Sequence, residues 1–274
     1  MSVVSLPYFE AIRSCDLARL QSVLDDAPSV AHSVLPKSDA ADGTGGCTGL
    51  HLAVHSADVE IARLLISSGV DLEARSEDGR TALHDSIEYG KREIETLLLE
   101  SGSEVDVCAA AILGRIEHVR ELLDQDPDLV NDRSTNLSPL GWASYGNQTE
   151  VAAELISRGA RLDDGELLRA ASVGHVEVGR LLLKHGADPD EMDEKAGGSA
   201  LHAAVRMRYT CDSTEFVRML LAAGADPRIT TRNGMTALQL AEDCARRQSD
   251  TASDEASQEL TRNFEGVAEI LRNA

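Results

Sequence analysis

Aromatic residues are scarce in this chain: one Trp, four Tyr and three Phe among 274 residues, 3%. A large globular core usually draws much of its buried area from aromatic rings. Their scarcity favours thin layers built from Leu, Ala, Val and Ile, and makes the position of each ring informative. Basic residues are also short, 26 against 47 acidic ones, for a formal net charge of -21. Such a field repels phosphate backbones and anionic lipid surfaces instead of releasing their counterions, so neither nucleic acid nor membrane is an expected partner. Nowhere do the roughly 20 apolar residues of a membrane-spanning helix run together, and Met1 to Tyr8 lack a basic stretch followed by an apolar one. The chain is therefore expected in the cytoplasm. The five cysteines, Cys15, Cys47, Cys108, Cys211 and Cys244, are odd in number and scattered, with no CxxC pair. They read as reduced, mostly packed thiols and not as a zinc or redox site.

Chemical signatures are missing as well. There is no HExxH, no GxSxG, no P-loop and no kinase set, and the glycine run from Gly43 to Gly49 lacks the spacing and the preceding strand of a dinucleotide fingerprint. No catalytic residue, cofactor or metal is expected. Chance carboxylate pairs such as Glu77 with Asp78 are adequately explained by solvation. Hydrophobic residues at 42% and charged residues at 27% are ordinary for a folded soluble protein.

What the chain does contain is repetition, which takes precedence over any single-domain reading. Residues 48–69 run TGLHLAVHSADVEIARLLISSG and residues 81–102 run TALHDSIEYGKREIETLLLESG, with Leu50 and Leu83 one thirty-three-residue unit apart. Ser199 to Gly224 repeats the pattern as SALHAAV and EFVRMLLAAG. Fainter copies start at Ala109, Ser138 and Leu167, and worn ones stand at both ends. The motifs TALH, SALH, LLLKHGADP and LLAAGADP resemble the ankyrin repeat family, and the resemblance covers nearly the whole chain. It implies an all-α solenoid of stacked helix-turn-helix units with short hairpin loops. One domain, 1–274, is expected, in about eight units: 6–36, 48–79, 80–104, 105–132, 138–163, 165–193, 199–230 and 235–274.

The residue pattern leads to the same place independently. Ile61, Leu64 and Leu65, like Val178, Leu181 and Leu182, recur at helical offsets and mark one buried stripe per second helix. Two short helices cannot cover such a stripe alone, whereas stacking covers each with the next unit. Alanine pairs (Ala110 with Ala111, Ala170 with Ala171, Ala203 with Ala204) allow first helices to approach closely. Gly69, Gly102, Gly159, Gly186 and Gly224 close the second helices, and Asp126 before Pro127 takes that place once. The stretches 37–46 and 248–258 read as polar loops.

His51, His84 and His202 occupy equivalent positions and invite a metal reading. In the family that His is structural, bonding the turn around Thr48, Thr81 or Ser199, and successive repeats hold theirs about 10 Å apart, too far to share an ion. The resemblance also implies binding through hairpin tips and the exposed ends of first helices in a concave groove. Those places map to Glu77, Asp78, Arg80, Glu88, Tyr89, Ile112, Leu113, Leu137, Trp142, Tyr145, Val173, Arg206 and Met207, with Ser134, Thr135 and Arg208 alongside. Tyr89 and Tyr145 read as surface. Trp142 stands between two readings, an interface anchor or a core residue packed where hairpins are shortened. The function expected is non-catalytic capture of a partner protein, with a basic surface suited to the acidic charge, by a monomer. Two alternatives stay open: an enzyme using His84, Asp85 and His55 in the groove, and a protein that pairs with its own copies.

Overall fold

A computed structural model describes residues 5–36, 45–162, 165–193, 197–206, 213–251 and 255–274. Among these the chain forms sixteen α-helices and no strand. It divides into two compact units, Met1–Ala109 with Asp132–Asn136, and Ala110–Asn131 with Leu137–Ala274. The first holds α1 (Ser5–Arg13), α2 (Leu17–Asp26), α3 (Gly49–Ser56), α4 (Val59–Ser67), α5 (Ala82–Glu88) and α6 (Arg92–Glu100); α7 (Val107–Ile112) crosses the boundary. The second holds α8 (Ile116–Gln125), α9 (Pro139–Tyr145), α10 (Thr149–Ser157), α11 (Glu166–Val173), α12 (Val176–Lys184), α13 (Ala200–Val205), α14 (Ser213–Ala222), α15 (Ala237–Thr251) and α16 (Glu255–Arg272). Met207, Arg208, Cys211 and most of the 37–46 loop lie outside the described residues, as does part of 248–258.

Each helix starts and stops for local reasons. Asp58 and Thr81 accept a hydrogen bond from the backbone three residues on, satisfying one of the four orphan amides of a helix start. The five glycines that follow second helices all have positive φ. Asp126 instead ends α8 in an extended conformation, and Pro127–Asn131 turns as a short 3-10 helix.

Packing follows the apolar stripes. In the first unit α1 lies on α3 and α3 on α5, while α2 lies on α4 and α4 on α6. In the second α9, α11, α13 and α15 form one layer, and α8, α10, α12, α14 and α16 the other. Ile61, Leu65, Val178 and Leu182 are wholly buried, as are Ala110, Ala111, Ala170, Ala171 and Ala204. Leu64, Leu181 and Ala203 are only half-buried. At ~1.5–3 kcal/mol for each fully buried large aliphatic side chain, these nearest-neighbour layers dominate stability. Two rings also belong to the first core: Tyr8 and Phe9 meet edge to face, and the Tyr8 hydroxyl donates to the Ala31 carbonyl at 3.4 Å.

Polar bridges tie several helix pairs to the segment that follows. His51 Nδ1 accepts from the Thr48 amide, while Nε2 donates to the Arg80 carbonyl at 2.9 Å. His202 does the same between Ser199 and the Met235 carbonyl. Burial lowers the pKa of both histidines and keeps them neutral. His84 follows the pattern through Thr81 but meets the Asp106 carboxylate at 3.1 Å. Cys108 holds the corresponding place one pair later, accepting from Thr135 at 3.7 Å, and burial pushes its thiol far up. Where Gly141 leaves no side chain for the task, Ser138 donates to the buried Glu166 of the next pair at 3.0 Å.

Candidate binding face

In the first unit the end of α5 and the hairpin before it build a polar cluster. Asp85, 1% exposed, sits where α3 places Leu52. A carboxylate so deeply buried must be paired. Arg80, one residue ahead of the Thr81 cap, brings Nε to 3.2 Å from Asp85 Oδ1, pairs with Glu88, and lies 3.8 Å from Asp78. The Arg80–Asp85 contact is a charge pair out of hydrogen-bond alignment. On the other side His55 of α3 places Nε2 3.0 Å from Asp85 Oδ2. Burial opposes the Arg80 charge, but Asp85 and Glu88 outweigh it and raise its pKa. Burial first and the Glu88 charge next raise the Tyr89 pKa, against the nearby Arg80 charge, which lowers it. The Tyr89 ring is 45% exposed and stands edge-on to His55 with centroids 5.2 Å apart. Of the residues mapped here, Glu77 and Asp78 are exposed, Arg80 and Glu88 half-buried. Ser134 is exposed and Thr135 buried.

The trio His84, Asp85 and His55 does not converge. His55 meets Asp85, whereas His84 turns to Asp106. Asp106 is the polar hub that sequence reasoning passes over: it also accepts from the Ala109 amide at 2.9 Å and from Arg75 at 3.2 Å. Burial alone would raise its pKa; the bond from His84 and the other donors prevail and bring it to about 2.

In the second unit two expected surface residues, Leu137 and Ile112, are core, and Trp142, open between the two readings, is core as well. Trp142 is 0% exposed, Leu137 5% and Ile112 6%. Ile112 is covered by the close approach of the end of α9 to the end of α7: a Cβ at Gly146 would stand 2.7 Å from the Ile112 carbonyl, which also accepts from Gln148 at 3.0 Å. Trp142 occupies the inner-layer place that Asp85 takes in α5, and its ring meets Tyr145 edge to face at 6.4 Å. Leu113, Tyr145 and Val173 are half-buried, and Arg206 is exposed. Two further polar contacts stand beside this face, Ser138 with Glu166 and Arg169 with Asp193 at 3.4 Å. The signal that could have found them is positional, since Arg169 fills the first-helix place of Asp85 and Trp142.

Among the described residues no helix is long and apolar enough to cross a membrane, and no three His, Cys, Asp or Glu side chains are grouped as metal ligands. A family model described as ankyrin repeats in three copies matches residues 20–109 and 167–252. The chain is 34% identical over 109 residues to palmitoyltransferase ZDHHC13 of Homo sapiens, covering 37% of this chain and 17% of that protein. It is 32% identical over 141 residues to an ankyrin repeat-containing protein of Treponema pallidum (strain Nichols), covering 49% of this chain and 46% of the relative. An ankyrin repeat protein of Fowlpox virus, FPV014, is 28% identical over 170 residues, 59% of this chain and 32% of the viral one. The chain thus spans less than half the length of each of these relatives.

Proposed function

This chain belongs to the ankyrin repeat family, and we propose that it acts as a non-catalytic binding module, an adaptor, scaffold or inhibitor that holds a partner protein on its first-helix and hairpin face. Ankyrin repeats are protein–protein interaction modules. The observation that carries the reading is the exposure of Tyr89 at the end of α5 in the first unit and, in the second unit, the partial exposure of Leu113, Tyr145 and Val173 beside the sunk Ile112, Leu137 and Trp142. Aromatic rings left at such places supply the large, desolvatable area on which interface energy concentrates. The acidic balance, -21 overall, favours a partner with a basic surface by steering encounter. The activity named for the palmitoyltransferases is not extended to this chain, because their match lies in the repeat region alone. We further propose a cytoplasmic monomer.

The test is capture of binding proteins by the purified chain, compared with Tyr89→Ala and Tyr145→Ala. Both variants are expected to fold normally and to lose a protein that the parent enriches. Equal enrichment by parent and both variants removes this face. Trp142→Ala is unsuited to the test, since emptying a fully buried Trp site costs ~3–5 kcal/mol of stability.

A further inference from the structure

Six asparagines occur in the chain, and Asn233 alone is followed by glycine. The pair stands at the tip of the hairpin that enters α15, between Thr230 and Thr236, which bridge to each other. The Thr231 amide donates to the Met235 carbonyl at 2.8 Å, and the Gly234 amide to the Thr231 carbonyl at 2.9 Å. Gly234 takes the left-handed conformation, φ +74°, that the last place of this turn requires. Arg232, Asn233 and Gly234 are all exposed, and a Cβ placed at Gly234 would meet nothing within 4 Å. The side-chain amide of Asn233 therefore stands beside a backbone nitrogen that no side chain shields. The hairpin at 76–80 in the first unit supplies the contrast. It makes the same two bonds, Ser76 to Arg80 and Gly79 to Ser76, with Gly79 at φ +76°. There the residue before the glycine is Asp78, whose carboxylate is a far poorer electrophile than a carboxamide, and a Cβ at Gly79 would stand 1.8 Å from the Ser134 carbonyl that covers it.

We propose that Asn233 is a site of spontaneous deamidation, with Gly234 as the nucleophile. Local opening of the exposed turn frees the Gly234 amide from the Thr231 carbonyl, and base removes the amide proton. The nitrogen attacks Asn233 Cγ, the new C–N bond closes a five-membered imide, and the side-chain nitrogen departs as ammonia. Water then adds to either carbonyl of the ring. Cleavage of the Cγ–N bond leaves aspartate. Cleavage at the main-chain carbonyl leaves isoaspartate, in which the chain runs on through Cβ and Cγ. Nothing is oxidised or reduced: one water is consumed and one ammonia released. Both products place a negative charge beside Arg232. Isoaspartate also lengthens the backbone by one methylene inside a loop closed by two hydrogen bonds, and so pulls the Met235 carbonyl away from the Thr231 amide. That carbonyl also accepts from His202 Nε2 at 3.2 Å, so the change reaches the seam that leads from α13.

The experiment holds the full chain in warm, mildly alkaline buffer and maps its peptides by mass over days, with isoaspartate detected by enzymatic methylation of its free α-carboxylate. Conversion at Asn233 is expected to accumulate before it is measurable at any of the other asparagines, and to yield isoaspartate as well as aspartate. It should slow in mildly acid buffer, where the Gly234 amide keeps its proton. Gly234→Ala should suppress it by crowding the nitrogen. Asn233→Gln, whose longer side chain closes a less favoured six-membered ring, should abolish it even if the alanine disturbs the turn. Conversion at Asn233 no faster than at the other asparagines, aspartate without isoaspartate, or an unchanged rate in Asn233→Gln overturns the proposal.

Discussion

Replacing Asp106 by asparagine removes one negative charge from a place where three donors converge: His84 Nε2, the Ala109 amide and Arg75. Its folded pKa is brought from 3.8 to about 2. At ~1.4 kcal/mol per tenfold change in proton affinity, that difference corresponds to about 2 kcal/mol of stability at neutral pH. Because the folded pKa lies below the unfolded one, the contribution is complete well above 3.8 and is lost as pH falls toward 2. About half of it remains near pH 3. Asp106→Asn should therefore lower the unfolding free energy by about 2 kcal/mol at pH 7, with a gap to the parent that narrows to about 1 kcal/mol near pH 3. Urea unfolding followed by far-ultraviolet circular dichroism at several pH values measures both. A variant within ~0.5 kcal/mol of the parent at pH 7, or a gap that does not change on acidification, refutes the argument, because either result means the carboxylate charge is not what the three donors stabilise.

Two further expectations concern the first unit. Gly79 and Gly69 share a φ of +76°, but an added Cβ at Gly79 lies 1.8 Å from the Ser134 carbonyl and at Gly69 meets nothing within 4 Å. Gly69→Ala should cost ~1–2 kcal/mol of left-handed strain, and Gly79→Ala a further ~1–3 kcal/mol of overpacking; equal losses in urea unfolding contradict the contact. Iodoacetamide should modify exposed Cys15 in the native protein but reach buried Cys47 and Cys108 only after denaturation. Peptide mass mapping distinguishes the sites, and native labelling of Cys108 contradicts its packing.

How much of this was legible in the residues depends on whether a feature is local. The TALH and SALH turns, the helical stripes and the closing glycines are written within a few positions of each other, so the repeat and its helices could be read directly. Depth could not. Leu52, Asp85, Trp142 and Arg169 hold the same place in the first helices α3, α5, α9 and α11, and only the approach of the next helix decides whether that place is core or a charged cluster. Trp142 was ambiguous for that reason, and Ile112 and Leu137 were misplaced on the surface. Asp106 escaped notice because its partner His84 lies 22 positions away.

The bridges between helix pairs have a consequence for acid tolerance. Two of the seams, at His51 and His202, work only while the imidazole is uncharged, and burial has lowered both pKa values below 6.5. Their full strength is available above that value and drains as the medium acidifies past it. The seams closed by Cys108 or by Ser138 with Glu166 use no imidazole. Mild acid should thus open the stack first at its histidine joins, like a zip with two weak teeth, while the stretches between them stay shut.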